Sequence, residues 1–334
     1  MRGSLALVAL VSLVACAGPP AAGTPTVAPG ASGTARPVGL TATFVIANPA
    51  GLLGLDAAGR SLGPIVALPP QSAPSSPALD PSGKTLVFAL VPQADPIRGF
   101  GADIMAVGLD GTGLRTIVQH EKDNVFYSQP LFDRTGGAVL FHRTEAVIQT
   151  GSYIGNLDTI ERIDLRTGAR ARLLTDASDF TITPTGDTIV YAKLDQGLPD
   201  ALWRANADGS DPRPFLTTKD RWFYLQSPRI GPQGCEIAFS AAGHTTSRLA
   251  PVGAPAGQAH LGYPSDLDIA PCDGSSVRAV TTTVDDVDPA WSPNGAEIVY
   301  AGSGGLFVIT VATGAVRTLA QGETFFFGSL VWLR

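Results

Sequence analysis

The fold is decided by one stretch, Asp288-Pro289-Ala290-Trp291-Ser292-Pro293-Asn294-Gly295, which recurs in degenerate form along the chain. The other copies are residues 76–83, 129–136, 179–186 and 227–234. Each copy is followed by an apolar run, such as residues 298–301, rich in residue types that favour strands. A second glycine then follows Asp or Thr at Gly111, Gly168, Gly209, Gly274 and Gly314, and Gly59 supplies a sixth copy of this marker.

The repeat predicts a four-stranded antiparallel unit with strands a, b, c and d. Its first glycine closes the a–b hairpin and its second closes the c–d hairpin, because glycine accepts the positive φ of tight turns without steric cost. A repeat of about 40–60 residues with four strands predicts a β-propeller. No long helical periodicity competes with this pattern.

The two ends of the chain predict how the propeller closes. Residues 43–68 contain strands b, c and d of a first unit without a preceding strand a. The stretch Gly328-Ser329-Leu330-Val331-Trp332 aligns with strand a and is not followed by a strand b. Together the ends complete one blade, which leaves no sheet edge unpaired at the junction. With the five whole copies, the sequence predicts an all-β, six-bladed β-propeller with 1+3 (velcro) closure.

The form Pro289-Ala290-Trp291-Ser292-Pro293-Asn294-Gly295, followed by Glu297-Ile298-Val299-Tyr300, resembles the WD40-like PD40 repeat of TolB-like propellers. The resemblance covers most of residues 41–334 and is sharpest in this last copy. It weakens where Phe180 replaces the first proline and where Arg134 and Thr135 precede Gly136. TolB carries an α/β domain before its propeller, whereas a tether precedes it here. The resemblance therefore implies a TolB-like propeller lipoprotein without the TolB N-terminal domain.

The first residues predict export. Arg2 is followed by an apolar run, residues 5–14, that is too short to span a bilayer and fits a signal peptide. The run ends in Leu13-Val14-Ala15-Cys16, which resembles the bacterial lipobox. This resemblance implies cleavage before Cys16 and lipidation of Cys16, with palmitate among the acyl chains. We predict an extracytoplasmic protein anchored to a bacterial membrane, at the cell surface or on the periplasmic side.

Composition divides the chain into three parts. Residues 1–15 are the predicted signal peptide, and residues 16–40 form a tether of Ala, Gly, Pro, Thr and Ser that cannot build a core. Residues 41–334 are the predicted propeller. The net charge of −6 argues against a nucleic-acid partner. A monomer is predicted.

The remaining cysteines predict a disulfide. Cys235 opens strand b of the fifth blade and Cys272 closes strand c. These positions lie opposite each other in an antiparallel pair, which brings their Cβ atoms near enough for a bridge. Export places the pair in an oxidising compartment.

No catalytic motif emerges from the sequence. Residues 82–85 resemble only the end of a phosphate-binding loop, and residues 206–211 fit a shared turn better than a calcium loop. The four histidines show no metal-binding spacing, and no serine lies in a nucleophile elbow. We predict no cofactor, no metal and no enzymatic activity.

Aromatic residues point to one face as the binding surface. The b–c and d–a connections share a face, and the longest b–c connections are predicted at residues 91–102, 143–157 and 242–265. The d–a connections are predicted to carry aromatic clusters at the same mouth of the channel, joined by two acidic residues. The partner-binding candidates are Phe126, Tyr127, Trp222, Phe223, Tyr224, Phe325, Phe326, Phe327, Asp286 and Asp288. The alternative is that individual aromatics pack between blades as core.

The sequence therefore predicts a membrane-anchored binding scaffold for an envelope protein, a peptide or a glycan. The alternative is an extracytoplasmic propeller hydrolase or lyase with dispersed active-site residues around the channel. A cluster of His, Asp or Glu that converges on the channel would favour this alternative.

Overall fold

A computed structural model describes residues 37–217, 222, 224–232, 235–242, 265–283, 287–302, 304–322 and 329–333. Contacts divide the chain into two units, Met1–Ala35 and Arg36–Arg334. The first lies outside the described residues, as do Cys16, Phe223, Asp286, Phe325, Phe326 and Phe327.

Strands make up most of the regular structure of the described residues. The one described helix, α1 (Val38–Thr41), has a single turn, and none in the described chain is long and apolar enough to cross a membrane. The strands are β1 (Phe44–Asn48), β2 (Gly51–Leu55), β3 (Ser61–Pro64), β4 (Ala73–Leu79), β5 (Thr85–Val91), β6 (Gly101–Gly108), β7 (Arg115–Val118), β8 (Val125–Phe132), β9 (Ala138–Gln149), β10 (Ser152–Asp164), β11 (Arg170–Thr175), β12 (Ala177–Ile182), β13 (Thr188–Asp195), β14 (Leu198–Asn206), β15 (Arg213–Thr217), β16 (Tyr224–Ile230), β17 (Glu236–Ala242), β18 (Asp266–Pro271), β19 (Arg278–Thr282), β20 (Ala290–Trp291), β21 (Glu297–Gly302), β22 (Gly305–Thr310), β23 (Val316–Gln321) and β24 (Ser329–Trp332).

The strands form antiparallel sheets in a propeller-like arrangement. Four sheets of the described chain have four strands, in the orders β24-β1-β2-β3, β12-β13-β14-β15, β16-β17-β18-β19 and β20-β21-β22-β23. A fifth sheet has eight strands, β4 to β11. Its halves, β4–β7 and β8–β11, are each antiparallel and meet where β6 and β8 run parallel, at Gly101 opposite Val125 and Ala102 opposite Phe126. The C-terminal strand β24 pairs with β1, with Phe44 opposite Trp332.

The repeat glycines close the hairpins as the sequence predicts. Among described residues, the a–b set (Gly83, Gly136, Gly186, Gly295) and the c–d set (Gly59, Gly111, Gly168, Gly209, Gly274, Gly314) all have φ between 69° and 84°. The residue three positions before the first glycine completes the turn. In the copy at residues 76–83, Asp80 Oδ1 accepts hydrogen bonds from the amides of Lys84 and Thr85 at 2.7 and 2.8 Å.

The first position of the repeat has a role that the alignment alone does not reveal. In strands β4, β8, β12 and β16 this residue forms a bulge with φ between 42° and 51°, and the set is Ser76, Gln129, Asp179 and Ser227. The bulges connect neighbouring sheets: Gln129 Oε1 accepts the amide of Asp179 at 3.0 Å, and Asp179 Oδ2 accepts the amide of Ser227 at 3.2 Å. Left-handed backbone is strained for these residue types and persists only where the surrounding structure holds it. The hydrogen bonds between bulges provide that support and also join the innermost strands of neighbouring sheets.

Apolar side chains between neighbouring sheets form the core. Tyr127 and Phe141 of β8 and β9 pack with Val87 and Ile104 of the preceding strands in one such cluster. Similar clusters join each sheet to the next, and Phe44 of β1 packs with residues of the last sheet. Both faces of each sheet are therefore covered by a neighbour.

The structure joins Cys235 and Cys272 in a disulfide, with the Cα atoms 5.0 Å apart. The amide of Cys272 also donates to the carbonyl of Cys235 at 2.9 Å, so the bridge lies across the start of β17 and the end of β18. It closes a sequence separation of 37 residues.

We expect that removing the bridge with the double variant Cys235→Ser and Cys272→Ser lowers the free energy of unfolding by up to about 4 kcal/mol, since a loop of this length gains that much chain entropy. Denaturant unfolding with and without reductant measures the effect, and reductant should not shift the double variant. Two free thiols in a non-reduced digest of the wild-type chain would contradict the pairing.

Two predicted connections are strands instead. Residues 143–157 were expected to form a loop, but β9 and β10 extend through them as a long hairpin that turns at residues 150–151. Phe126 and Tyr127 were expected in a d–a connection, but they belong to β8. In both places backbone pairing with the neighbouring strand continues the ladder and replaces an open loop.

Candidate functional site

Antiparallel order places the b–c and d–a connections at one end of every sheet, which we call the long-loop face. The a–b and c–d turns lie at the other end, the short-turn face. On the long-loop face, the described residues include the connection 92–100, the end of the β9–β10 hairpin and the connection 119–124. These three segments are neighbours, because β6 pairs with β8 and β8 pairs with β9.

A tight turn in the connection 92–100 holds an apolar side chain in water. Asp95 and Gly99 exchange two backbone hydrogen bonds of 2.9 and 2.8 Å, and Asp95 Oδ1 accepts the amides of Ile97 and Arg98. Arg98 also bonds to Asp95 Oδ2 at 2.8 Å. Ile97, at the tip of this turn, is 92% exposed. We call residues 95–99 the Ile97 turn.

The connection 119–124 fastens the Ile97 turn to β8. Asp123 Oδ1 accepts the amide of Phe100 at 2.8 Å, and the carbonyl of Phe100 accepts the amide of Asn124 at 2.7 Å. The ring of Phe100, 48% exposed, meets the ring of Phe126 edge to face at 5.2 Å. The paired rings of Phe100 and Phe126 thus place apolar surface next to the Ile97 turn.

The β9–β10 hairpin exposes further apolar side chains on the long-loop face. Its far end exposes about half or more of four large side chains, Ile148, Tyr153, Ile154 and Leu157. Clustered exposed apolar side chains are typical of interaction sites, whereas single ones are common on any surface. With Ile97 and Phe100, they make up most of the exposed large apolar side chains in the described part of the chain.

An ionic network anchors the base of the hairpin. Arg143 donates to Glu121 Oε1 at 2.6 Å and to Glu145 Oε2 at 2.7 Å. Lys122 bonds to Glu145, and the hydroxyl of Tyr127 bonds to Glu121. Burial and the bond to Glu121 raise the pKa of Tyr127 to about 12. Bonds from Lys122 and Arg143 lower the pKa of Glu145 below its ordinary value, so this network stays charged near neutral pH.

A buried pair holds the connection 119–124 against β6. Asp103 Oδ1 accepts the amide of His120 at 2.8 Å and lies 2.6 Å from His120 Nδ1. The His120 ring is fully buried and packs on Gly101, where even a Cβ atom would lie 2.4 Å from the Val125 carbonyl oxygen. The close approach of β6 to β8 therefore needs glycine at position 101.

A second histidine, His142, lies on β9 in the β8–β11 half of the eight-stranded sheet. His142 Nε2 is 2.9 Å from Asp158 Oδ1, and His142 Nδ1 is 3.2 Å from Ser128 Oγ. Thr144 Oγ1 donates to the same Asp158 oxygen at 2.7 Å. His142 and Asp158 are buried, and Ser128 is half-buried on β8. The chain of hydrogen bonds runs across three neighbouring strands, β8, β9 and β10.

A pocket of about 230 Å³ opens further along the same face. It is lined by Asp195, Gln196, Leu198, Asp200 and Tyr224. Asp195 ends β13, Gln196 lies in the b–c turn that follows it, and Tyr224 begins β16. No group of three or more His, Cys, Asp or Glu side chains suited to a metal occurs among the residues that the structure describes.

The structure corrects the choice of aromatic anchors. Tyr127, Trp222 and Tyr224, predicted to face a partner, are 0%, 6% and 7% exposed and pack between sheets. Phe126 is half-buried beneath Phe100. Asp288 is bound to Arg229 at 2.6 Å. Phe223, Phe325, Phe326, Phe327 and Asp286 lie outside the described residues, as does Cys16, the predicted lipidation site.

The exposed apolar residues were not among the sequence-based candidates. Ile148, Ile154 and Leu157 lie in a stretch of mixed apolar and polar residues, and such a pattern does not show which apolar side chains a neighbouring sheet covers. Ile97 offered one signal, since Asp95-Pro96 directly before it is a turn-initiating pair.

The sheets and their order define a β-propeller, and comparison with solved structures finds the same fold. No family model matches the chain, and no curated protein is similar to it. TolB from Acinetobacter baumannii is similar to this chain with a TM-score of 0.60 and 20% identity over 87% of this chain and 65% of TolB. The structure of a nidogen/laminin complex gives a TM-score of 0.60 with 11% identity, over 86% of this chain and 97% of the matched one.

A puromycin-hydrolysing peptidase from Mycobacterium tuberculosis is also similar, with a TM-score of 0.55 and 13% identity over 83% of this chain and 43% of the peptidase. The chain thus spans just under two thirds of the length of TolB and less than half of the peptidase. The chain has a TolB-like β-propeller fold.

Proposed function

We propose that the chain is a membrane-anchored extracytoplasmic lipoprotein whose six-bladed propeller binds an envelope protein, a peptide or a glycan through its long-loop face. Six blades follow if each half of the eight-stranded sheet is one blade. Five apolar clusters lie between successive sheets, one of them between β1 and the β20–β23 sheet, and a sixth lies between the two halves of the eight-stranded sheet. These six clusters support a ring closed by the β24–β1 pairing. The proposed protein is a monomer.

One observation carries the binding role. Ile97 leaves nearly its whole side chain in water on a turn that hydrogen bonds hold in place. A pre-ordered apolar side chain loses little conformational entropy on binding and gains the removal of its surface from water. Phe100 and the hairpin side chains extend this surface.

Replacing Ile97 by serine should therefore weaken partner binding by about 2 kcal/mol, or about 30-fold, without changing stability by more than about 0.5 kcal/mol. The measurement is the amount of protein captured from envelope extract by the immobilised chain. Leu62→Ser is the matched control, because Leu62 is an exposed apolar residue on β3. Equal capture by Ile97→Ser and the wild-type chain would show that the Ile97 turn does not contribute to binding.

The anchor rests on the lipobox-like stretch that ends in Cys16. Cys16→Ala should move the protein from the membrane fraction to the soluble fraction, since acyl chains supply the proposed attachment. Immunoblots of salt-washed membranes measure the distribution, with Cys235→Ser as the control for loss of a cysteine elsewhere. A Cys16→Ala protein that stays with salt-washed membranes would show another attachment.

The second candidate function is an extracytoplasmic hydrolase or lyase. The hydrogen-bond chain Ser128–His142–Asp158 favours it, since a nucleophile, a base and an orienting carboxylate occur in that order in acyl-transfer enzymes. The near-complete burial of His142 and its added bond to Thr144 fit a structural bond network better. Ester and peptide hydrolysis that is lost in Ser128→Ala, with the fold intact, would establish the enzymatic role.

A further inference from the structure

The charges on the long-loop face are unevenly partnered. Four described cations lie there, and each is already paired with a carboxylate: Arg98 with Asp95, Lys122 with Glu145, Arg143 with Glu121, and Lys193 with Asp176. Asp123 and Asp195 are exposed on the same face and have no ion-pair partner among the described residues. The described part of this face therefore has a surplus of negative charge.

One of these carboxylates, Asp123, packs against the Ile97 turn. Asp123 packs so closely on Gly99 that a Cβ atom there would come within 2.5 Å of Asp123 Oδ1. The same oxygen accepts the amide of Phe100. Gly99 closes the Ile97 turn and lies between Ile97 and Phe100 in sequence. The negative charge of Asp123 is therefore next to the exposed side chains of this turn.

We propose that the partner presents to the Ile97 turn a protein segment in which an aliphatic or aromatic side chain lies beside Lys or Arg. The inference rests on the proposed function and names the chemistry of its partner. The apolar side chain covers Ile97 and Phe100, and the cation lies next to the Asp123 carboxylate. Opposite charge at the rim of an apolar contact speeds association and excludes partners of the wrong sign.

The same charges argue against two other occupants. A bilayer surface rich in anionic lipid would repel Asp123, Asp195 and the acidic members of the ion pairs. A second copy of the chain, related by a two-fold axis, would bring two acidic faces together. A cationic protein segment alone satisfies both the exposed apolar side chains and the surplus of carboxylates.

The probe is a library of random 12-residue peptides displayed on phage and selected on the full chain carrying Cys16→Ala, which cannot be lipidated. We expect the enriched peptides to combine large apolar residues with a net positive charge. Synthetic copies should bind at least tenfold more weakly to Ile97→Ser. They should bind at least threefold more weakly to Asp123→Asn, which removes the charge but keeps an acceptor for the Phe100 amide. Asp208→Asn, in a turn on the short-turn face, is the matched control and should change nothing.

The outcomes separate the inference from the proposed function. Peptides that map to Ile97 but are neutral or acidic, or that ignore Asp123→Asn, overturn the inference alone. Peptides unaffected by Ile97→Ser, or no enrichment at all, overturn the inference and the choice of the Ile97 turn together. Sedimentation of the Cys16→Ala chain with vesicles of phosphatidylcholine and phosphatidylglycerol, or a dimer by light scattering that Ile97→Ser dissociates, replaces the proposed occupant with a bilayer or a second copy.

Discussion

Replacing Trp222 by alanine should lower the free energy of unfolding by about 3–5 kcal/mol and leave partner affinity unchanged in the protein that remains folded. Trp222 is 6% exposed and packs with Leu225 and Phe239 of the β16–β19 sheet and with Leu202 of the preceding sheet. Its ring meets that of Phe239 edge to face at 6.0 Å. The substitution therefore leaves a cavity between two sheets that rigid strands cannot close.

Denaturant unfolding, followed by titration with a selected peptide at low denaturant, measures both quantities. Phe100→Ala is the matched control, since the Phe100 ring is half exposed on the long-loop face. It should cost about 1 kcal/mol of stability or less and weaken binding instead. If Trp222→Ala weakens binding without loss of stability, Trp222 is a partner anchor and not core.

The second large effect is expected at Asp103. Asp103→Ala should destabilise the protein by about 3 kcal/mol, because it leaves the buried His120 amide and ring without their acceptor. Asp103→Asn keeps a side-chain oxygen for the amide and should cost about half as much or less. Chemical denaturation of both variants measures the difference, and equal losses would show that the carboxylate charge, not the acceptor oxygen, stabilises the connection.

Asp103 also supports the candidate site. His120 lies near the start of the connection 119–124, which brings Asp123 and Asn124 to the Ile97 turn. Loosening His120 should therefore speed hydrogen exchange at the amides of Phe100 and Asn124 ahead of global unfolding. The short-turn face of the same sheet, for example the amide of Gly136, should exchange as in the wild-type chain.

Most features of the fold could be predicted from the repeat. Glycine at the hairpin positions is explained by backbone sterics alone, so Gly83 and Gly111 could be assigned to their turns from spacing. The opposition of Cys235 and Cys272 followed in the same way from strand order. Turn sterics and strand order determine these features, and the same pattern recurs in each copy of the repeat.

The candidate site was harder to predict, because the exposure of a side chain depends on neighbouring sheets that sequence spacing does not identify. Tyr127 and Trp222 looked like surface anchors because they were assigned to connections, yet one belongs to a strand and both are covered by an adjacent sheet. Ile97 lies in a predicted connection, but sequence spacing does not show whether its side chain packs on a neighbour, and only its turn, built by Asp95 and Gly99, exposes it. Asp103 and His120 are 17 residues apart, so their pairing required the fold.

The most direct test of the long-loop face is site-specific photocrosslinking in cells. A benzophenone amino acid at position 97 should yield a covalent adduct of defined mass with the partner, and the same amino acid at Ser82, in a turn on the short-turn face, should yield none. The adduct at position 97 should disappear when Phe100→Ser is added. An adduct at position 82 with none at position 97 would contradict the account, because the partner would then contact the face whose turns are explained by backbone sterics alone.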